Sequence, residues 1–264
     1  MYDGTGGVPR EADILIQGKT IARIGPRLSV SARKVIEVRG ALVTPGFVDI
    51  ASYADHYGTL FSDPAGTEPL IRGITSLLVG QGGASLAPLL AHGTIPESWW
   101  GNTATTVAHA TTMGEFFSLL RGRLGVNVGT LVGYATVREG ITRGVPRDLT
   151  DREFELLEHM LRAALEEGAL GVSANLEYLR TTRVPHHELV AAARVAKEKD
   201  ALFALKLRGR EEHVKDGFVE ALSISKATGA DLLITDLEPY ARAEASYRAL
   251  ATQITRASAE HRIR

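Results

Sequence analysis

From residue 47 onward, short apolar runs of strand length alternate with longer amphipathic stretches. The runs at 47–51, 74–80, 128–134, 170–174, 202–206 and 232–237 predict strands, bounded by Gly, Pro, Asn and Asp. Between them, 67–72, 113–122, 151–167, 187–199 and 211–228 predict helices, and 241–259 predicts a last one. The stretch 151–167 carries its apolar residues at Phe154, Leu157, Leu161 and Leu165, one stripe of a helix. Thr150 ahead of it and Glu153 three residues on spell a capping box. Repeated strand–helix units imply a parallel sheet, but periodicity does not choose between a barrel and an open doubly wound sheet.

The pattern before residue 45 is different. Runs at 12–17, 20–24 and 35–38 are strand-like and broken by Gly18-Lys19, Gly25-Pro26 and Gly40. They predict a small β-sandwich-type segment over 1–44, placed ahead of a larger domain over 45–264. The long connection 89–112 carries Trp99-Trp100 and reads as a lid over a ligand or as an insertion plugged by its aromatic pair.

Composition narrows the class of partner. The chain has 264 residues, 44% hydrophobic and 23% charged, as a globular protein does. A formal net charge of −1 without runs of one sign gives no basis for nucleic-acid or anionic-membrane binding. No apolar run reaches the roughly 18–20 residues of a membrane span, and the start lacks the pattern of a secretory leader. The absence of cysteine excludes disulfides and thiolate chemistry and fits a cytoplasmic address.

Several motifs carry a resemblance. The stretch 40–55, GALVTPGFVDIASYAD, resembles the first barrel strand of the metal-dependent amidohydrolase superfamily, where V-T-P-G-F-V-D runs into H-x-H. The segment 80–89, GQGGASLAPL, resembles G-N-C-G-x-S-L-A-P-L of that superfamily's N-acyl-D-amino-acid deacylase branch. So do 124–138, LGVNVGTLVGYATVR, beside L-G-V-N-V-x-x-L-V-G-H-x-T-x-R, and 168–178, GALGVSANLEY, beside G-A-x-G-x-S-x-x-L-x-Y. The matches are collinear from about Asp3 to Glu238. The implied fold is α/β: a small N-terminal β-module followed by a TIM-like (β/α) barrel. A complete barrel has eight units and about 250 residues, so this chain is expected to supply about six of eight. It reads as truncated, as half of a split protein, or as a barrel closed in an unfamiliar way, and self-association or a partner chain is expected to complete it.

The resemblance also implies a site, and its substitutions decide the reading. The deacylases use zinc-activated water on N-acyl-D-amino acids. Their ligand positions fall on Ala51 and Tyr53 (the histidine pair), Gly82 (the cysteine), Lys206 and Asp236 (the later histidines). The lysine after the last histidine, which helps hold the substrate carboxylate, corresponds to Glu238, and the histidine of G-H-x-T-x-R to Tyr134. Thr136, Arg138, Ser173, Tyr178 and Arg208 are retained.

Zinc takes imidazole, thiolate or carboxylate ligands, and of these positions only Asp236 offers one. No zinc is therefore expected, and no zinc-dependent turnover. Lys206 and Asp236 are expected to form an ion pair at adjacent strand ends, with Tyr53 or Tyr134 hydroxyls completing its hydrogen bonds. Tyr53, Tyr134, Arg138, Ser173, Tyr178, Arg208 and Glu238 are pocket candidates. Arg138, Tyr178 and Arg208 read equally as holders of a small carboxylate or N-acyl amino-acid ligand and as structural residues.

Three readings stand at this point. One is a non-catalytic homologue keeping a pocket at the barrel mouth. Another is an amide hydrolase rebuilt without metal on Lys206, Asp236, Tyr53 and Tyr134. The third is a subunit or fragment of a split amidohydrolase. The histidines outside the motifs, among them His56, His92, His109, His186 and His187, read as loop residues satisfied locally or by solvent.

Overall fold

The computed structural model describes residues 1–90, 110–177, 184–209, 213–238 and 243–260. Two compact units divide the chain, Met1–Phe47 and Val48–Arg264.

In the first unit, β1 (Asp13–Gln17) and β2 (Thr20–Gly25) pair antiparallel around Gly18-Lys19, with a register shift between Leu15 and Ile16. The third run expected here does not form a strand. Residues 35–38 are irregular, and Val35, Ile36 and Val38 stand exposed. A β-prone run becomes a strand only where a neighbour supplies ladder partners and a surface to pack on.

The second unit is a strand–helix succession. β3 (Phe47–Asp49), α1 (Thr59–Ser62), α2 (Thr67–Ile71) and β4 (Ile74–Val79) lead to α3 (Met113–Leu120), β5 (Asn127–Thr130) and β6 (Val132–Gly133). Then come α4 (Tyr134–Thr142), α5 (Asp151–Glu166), β7 (Gly171–Asn175), α6 (His186–Glu198), β8 (Leu202–Lys206), α7 (Val214–Thr228), β9 (Asp231–Thr235) and α8 (Glu244–Glu260).

The ladders run β3-β4-β5 and β6-β7-β8-β9, and each registered pair in this unit is parallel. β5 and β6 are one strand interrupted at Leu131. The Leu131 N–H donates to Val79 O at 2.9 Å, and the Leu170 N–H donates to Thr130 O at 2.8 Å, so the ladders join. Six barrel strands therefore follow one another in chain order among the described residues.

Side-chain alternation shows that the sheet curls. Leu77, Val79, Phe203, Leu205 and Leu232 belong to the large core against the helices. Their neighbours Leu78, Ala204 and Leu233 form, with Leu131, a separate buried cluster. That second cluster joins β4 to β9, which stand well apart in strand order, and a flat sheet would hold those strands too far apart to pack. The structure is thus an incomplete barrel, with one apolar cluster inside the curl and a larger one between the strands and the helices.

Local signals set several boundaries. α5 begins as its sequence predicts: Thr150 Oγ1 accepts from the Glu153 N–H, the Glu153 carboxylate accepts from the Thr150 N–H, and Leu157, Leu161 and Leu165 are buried. β3 stops earlier than its apolar run, because Asp49 Oδ1 accepts the Ala51 N–H at 3.1 Å and turns the chain. Tyr134 is not the last residue of a strand but the first of α4, whose Ala135 N–H donates to Gly83 O at 2.8 Å. Tertiary packing overrides the β-prone run there. No helix among the described residues is long and apolar enough to cross a membrane.

Candidate functional site

The C-terminal ends of the barrel strands form one rim, where sites in this architecture assemble. Lys206 closes β8, and Asp236 follows β9 in a left-handed conformation, φ 53°. Lys206 Nζ lies 3.8 Å from Asp236 Oδ2, the pairing expected from sequence. It lies nearer still to Glu177 Oε2, at 3.3 Å, a partner the sequence reading did not name. Glu177 is set by an Asx turn: its N–H donates to Asn175 Oδ1 at 3.0 Å, just past β7. The three charged side chains are 14–20% exposed, so the cluster is neither dry nor freely solvated.

Tyr53 reaches the same carboxylate, donating its hydroxyl to Asp236 Oδ2. Burial, then the Asp236 carboxylate, push its phenol well above the ordinary tyrosine range, so it stays a donor. The Tyr53 ring meets His56 edge-on, with centroids 4.7 Å apart. Gly82 sits beside both rings: a Cβ there would lie 3.8 Å from Tyr53 and His56 ring carbons, with space but with φ at +66°.

Behind this layer is a buried polar shelf. Asp55 accepts the Gly80 N–H at 2.9 Å on Oδ2 and the His56 N–H at 3.0 Å on Oδ1, and burial raises its carboxyl to about 7. His56 Nε2–H donates to Gln81 O at 3.1 Å, and burial lowers the ring to about 4. His56 is thus a locally satisfied, neutral imidazole. The Gln81 amide donates to Ile50 O at 2.8 Å and Leu78 O at 3.3 Å, and its Oε1 is buried without a partner.

Other residues singled out from sequence lie elsewhere. The Tyr134 hydroxyl does not join the Lys206–Asp236 pair. It donates to Glu188, which Arg138 also holds through Nε at 2.9 Å and Nη2 at 3.3 Å. Arg208 pairs with Glu220 at 2.9 Å and donates to Val184 O at 3.3 Å. Ser173 is buried and donates to Gly80 O at 2.5 Å while accepting from the Gly83 N–H at 3.1 Å, which ties the loop after β4 to β7. Ala51 and Glu238 are exposed. Tyr178, His92, His109 and Trp99-Trp100 fall outside the described residues. Nothing in the one-dimensional pattern marks Glu188 or Glu220 as the partners of the two arginines. Glu177 alone had a signal, lying inside the GALGVSANLEY motif.

The donor set does not suit zinc. At the five positions that the motif resemblance assigns to ligands, Ala51 and Gly82 carry no side-chain donor, Tyr53 keeps its proton, and Lys206 is a cation engaged with the remaining carboxylate. Among the described residues, no group of three or more His, Asp or Glu is placed to hold a metal ion.

No family model matches the chain. Comparison with curated proteins finds the N-acyl-D-glutamate deacylase of Alcaligenes xylosoxydans xylosoxydans, 33% identical over 243 residues, 89% of this chain and 48% of the relative. The D-aminoacylase of the same organism is 26% identical over 236 residues, again 89% and 48%. Among solved structures, a D-aminoacylase described as defining a novel subset of amidohydrolases superposes with TM-score 0.86 at 25% identity, over 98% of this chain and 55% of its own. The N-acyl-D-glutamate deacylase from Bordetella bronchiseptica, complexed with zinc and a phosphonate inhibitor, gives 0.85 at 29%, over 99% and 55%. The chain spans about half the length of the curated relatives it matches.

Proposed function

Because the chain is a homologue of the N-acyl-D-amino-acid deacylases, within the amidohydrolase superfamily, we propose that it is a degenerate member of that branch. Its metal positions are substituted, and it keeps the barrel mouth as a binding surface without metal-dependent hydrolysis. One observation carries this reading: the Lys206 ammonium, at a position that the motif resemblance assigns to a ligand, lies 3.3 Å from Glu177 and 3.8 Å from Asp236. A fixed cation there repels a divalent ion and engages the carboxylate that would ligate it.

The ligand class comes from the relatives' names, an N-acyl amino acid. Arg138 and Arg208 pair with Glu188 and Glu220, which supports a structural part for both. The rebuilt-hydrolase reading has less support, because a lysine acting as base has to be open to its substrate and Lys206 is held between two carboxylates. The edges of β3 and β9, which have no further strand among the described residues, would take strands from a partner or a second copy. The cysteine-free composition supports a cytoplasmic address.

Elemental analysis of protein purified without chelators, paired with a deacylase assay on N-acyl-D-glutamate, N-acyl-D-aspartate and N-acyl-D-leucine, tests the reading. The expected result is far less than one zinc per chain and no zinc-stimulated turnover. Stoichiometric zinc with turnover would overturn it.

A further inference from the structure

β3 is three residues long and, among the described residues, lies at one end of the strand order and pairs with β4 alone. Val48 and Ile50, in and just after it, are 61% and 51% exposed, so hydrophobic burial does little to hold this segment down. Its anchors are polar, and several go to β4 and the loop behind it. The Ser52 N–H donates to Leu78 O at 3.1 Å, Ile50 O accepts from the Gln81 amide at 2.8 Å, and Asp55 accepts the Gly80 N–H at 2.9 Å. Each of these opens when the segment frays from β4, and none ties it to a strand beyond β4. The Tyr53 hydroxyl bond differs, because it reaches Asp236 beyond β9, the far end of the strand order and 183 residues away.

From this geometry we infer that Tyr53, Asp236, Lys206 and Glu177 form a tie across the barrel mouth, fixing the end of the first strand against the sixth. One oxygen, Asp236 Oδ2, receives both the Tyr53 hydroxyl and the Lys206 ammonium, and the ammonium continues to Glu177. The chain of contacts visits the ends of the first, sixth, fifth and fourth strands. Each member faces a group of opposite character: donor to acceptor, carboxylate to ammonium, ammonium to carboxylate. Asp236 sits at φ 53°, an unfavourable conformation for a residue with a side chain, though less so for Asp than for most. Such a conformation persists when surrounding contacts over-determine it, and the doubly engaged carboxylate supplies those contacts. Tyr53 is a positioning residue in this arrangement, with no substrate contact required of it.

Backbone amide exchange gives a local readout that global stability does not. The reporter is the Ser52 N–H, bonded to Leu78 O, and the reference is the Leu202 N–H, bonded to Leu170 O at 3.0 Å in the middle of the sheet. Wild type, Tyr53→Phe, Asp236→Gly and the double variant are compared with chelator present throughout, so that adventitious zinc cannot imitate the tie. Tyr53→Phe keeps the ring and removes only the hydroxyl, and Asp236→Gly removes the carboxylate while relieving the backbone.

The tie predicts exchange at Ser52 about tenfold faster in each single variant, no further increase in the double, and unchanged exchange at Leu202. Unchanged exchange at Ser52 in Tyr53→Phe would overturn the inference, and so would additive effects in the double variant. Should Asp236→Gly not fold, Tyr53→Phe alone decides.

Discussion

Arg138 and Glu188, 50 residues apart in sequence, face each other in the core of the barrel wall with side chains only 7% and 1% exposed. Two guanidinium nitrogens hold the carboxylate, and the Tyr134 hydroxyl donates to the same group. Arg138 Nη2 also donates to Arg147 O at 2.8 Å, so the cation bridges α4, the loop before α5, and α6.

Breaking one side of that pair leaves a buried charge without its partner. Glu188→Gln is expected to lower unfolding free energy by about 3–5 kcal/mol. Tyr134→Phe, which removes one hydrogen bond to a charged group, is expected to cost about 1.5–3 kcal/mol. Urea titration at neutral pH measures both. A loss below about 1 kcal/mol for Glu188→Gln would contradict the buried pairing.

Asp55 and His56 predict opposite slopes of stability with pH. Burial raises Asp55 from 3.8 to about 7, so the folded state holds the proton more tightly than the unfolded chain. Its contribution is fully present below 3.8 and is lost as pH rises through about 7. Burial lowers His56 from 6.5 to about 4, so its contribution is present above 6.5 and is lost as pH falls through about 4. Between roughly 4 and 6.5 the two nearly cancel in the intact protein. His56→Gln should therefore unmask stability that falls as pH rises, and Asp55→Asn stability that rises with pH. Denaturant midpoints from pH 4 to 8 show this, and parallel profiles for the two variants would refute it.

Gly82 and Gly83 share the left-handed backbone but not the same surroundings. A Cβ on Gly83, φ +77°, would lie 2.8 Å from Asn175 N, whereas one on Gly82 meets nothing nearer than 3.8 Å. Gly82→Ala should cost about 1–2 kcal/mol from backbone strain alone. Gly83→Ala should cost clearly more, because the loop has to shift off β7 and with it the Ser173 hydrogen bond. Thermal midpoints rank the two, and equal losses would show that the loop yields.

The two ends of the strand order predict association. Phe47, Val48 and Ile50 are 57%, 61% and 51% exposed at one end, and β9 has no described neighbour on its outer side. Unpaired parallel edges with apolar side chains take up further strands. Light scattering at micromolar concentration should report a mass above 28.4 kDa. A cooperative monomer throughout that range would count against it.

What the sequence by itself determined was local or compositional. β8 falls on its five-residue apolar run, 202–206, because a buried parallel strand needs only that run and its flanking breaks. α5 starts at Thr150 because the capping box is complete within four residues. The collinear motifs placed the chain among the D-aminoacylase relatives.

Tertiary structure decided the rest, wherever a residue's role depends on a neighbour far along the chain. Glu177 joined Lys206 because parallel register sets Asn175 opposite Lys206, which brings the turn after β7 onto the ammonium. Arg138 and Arg208 gained their carboxylate partners because helix packing carried Glu188 and Glu220 to them. Residues 35–38 stayed irregular for want of a strand to pair with, and Tyr134 opened a helix because its ring and hydroxyl found a buried place beside Glu188. Strand order, register and helix docking are collective properties of the folded chain, and no local pattern encodes which charged groups they bring together.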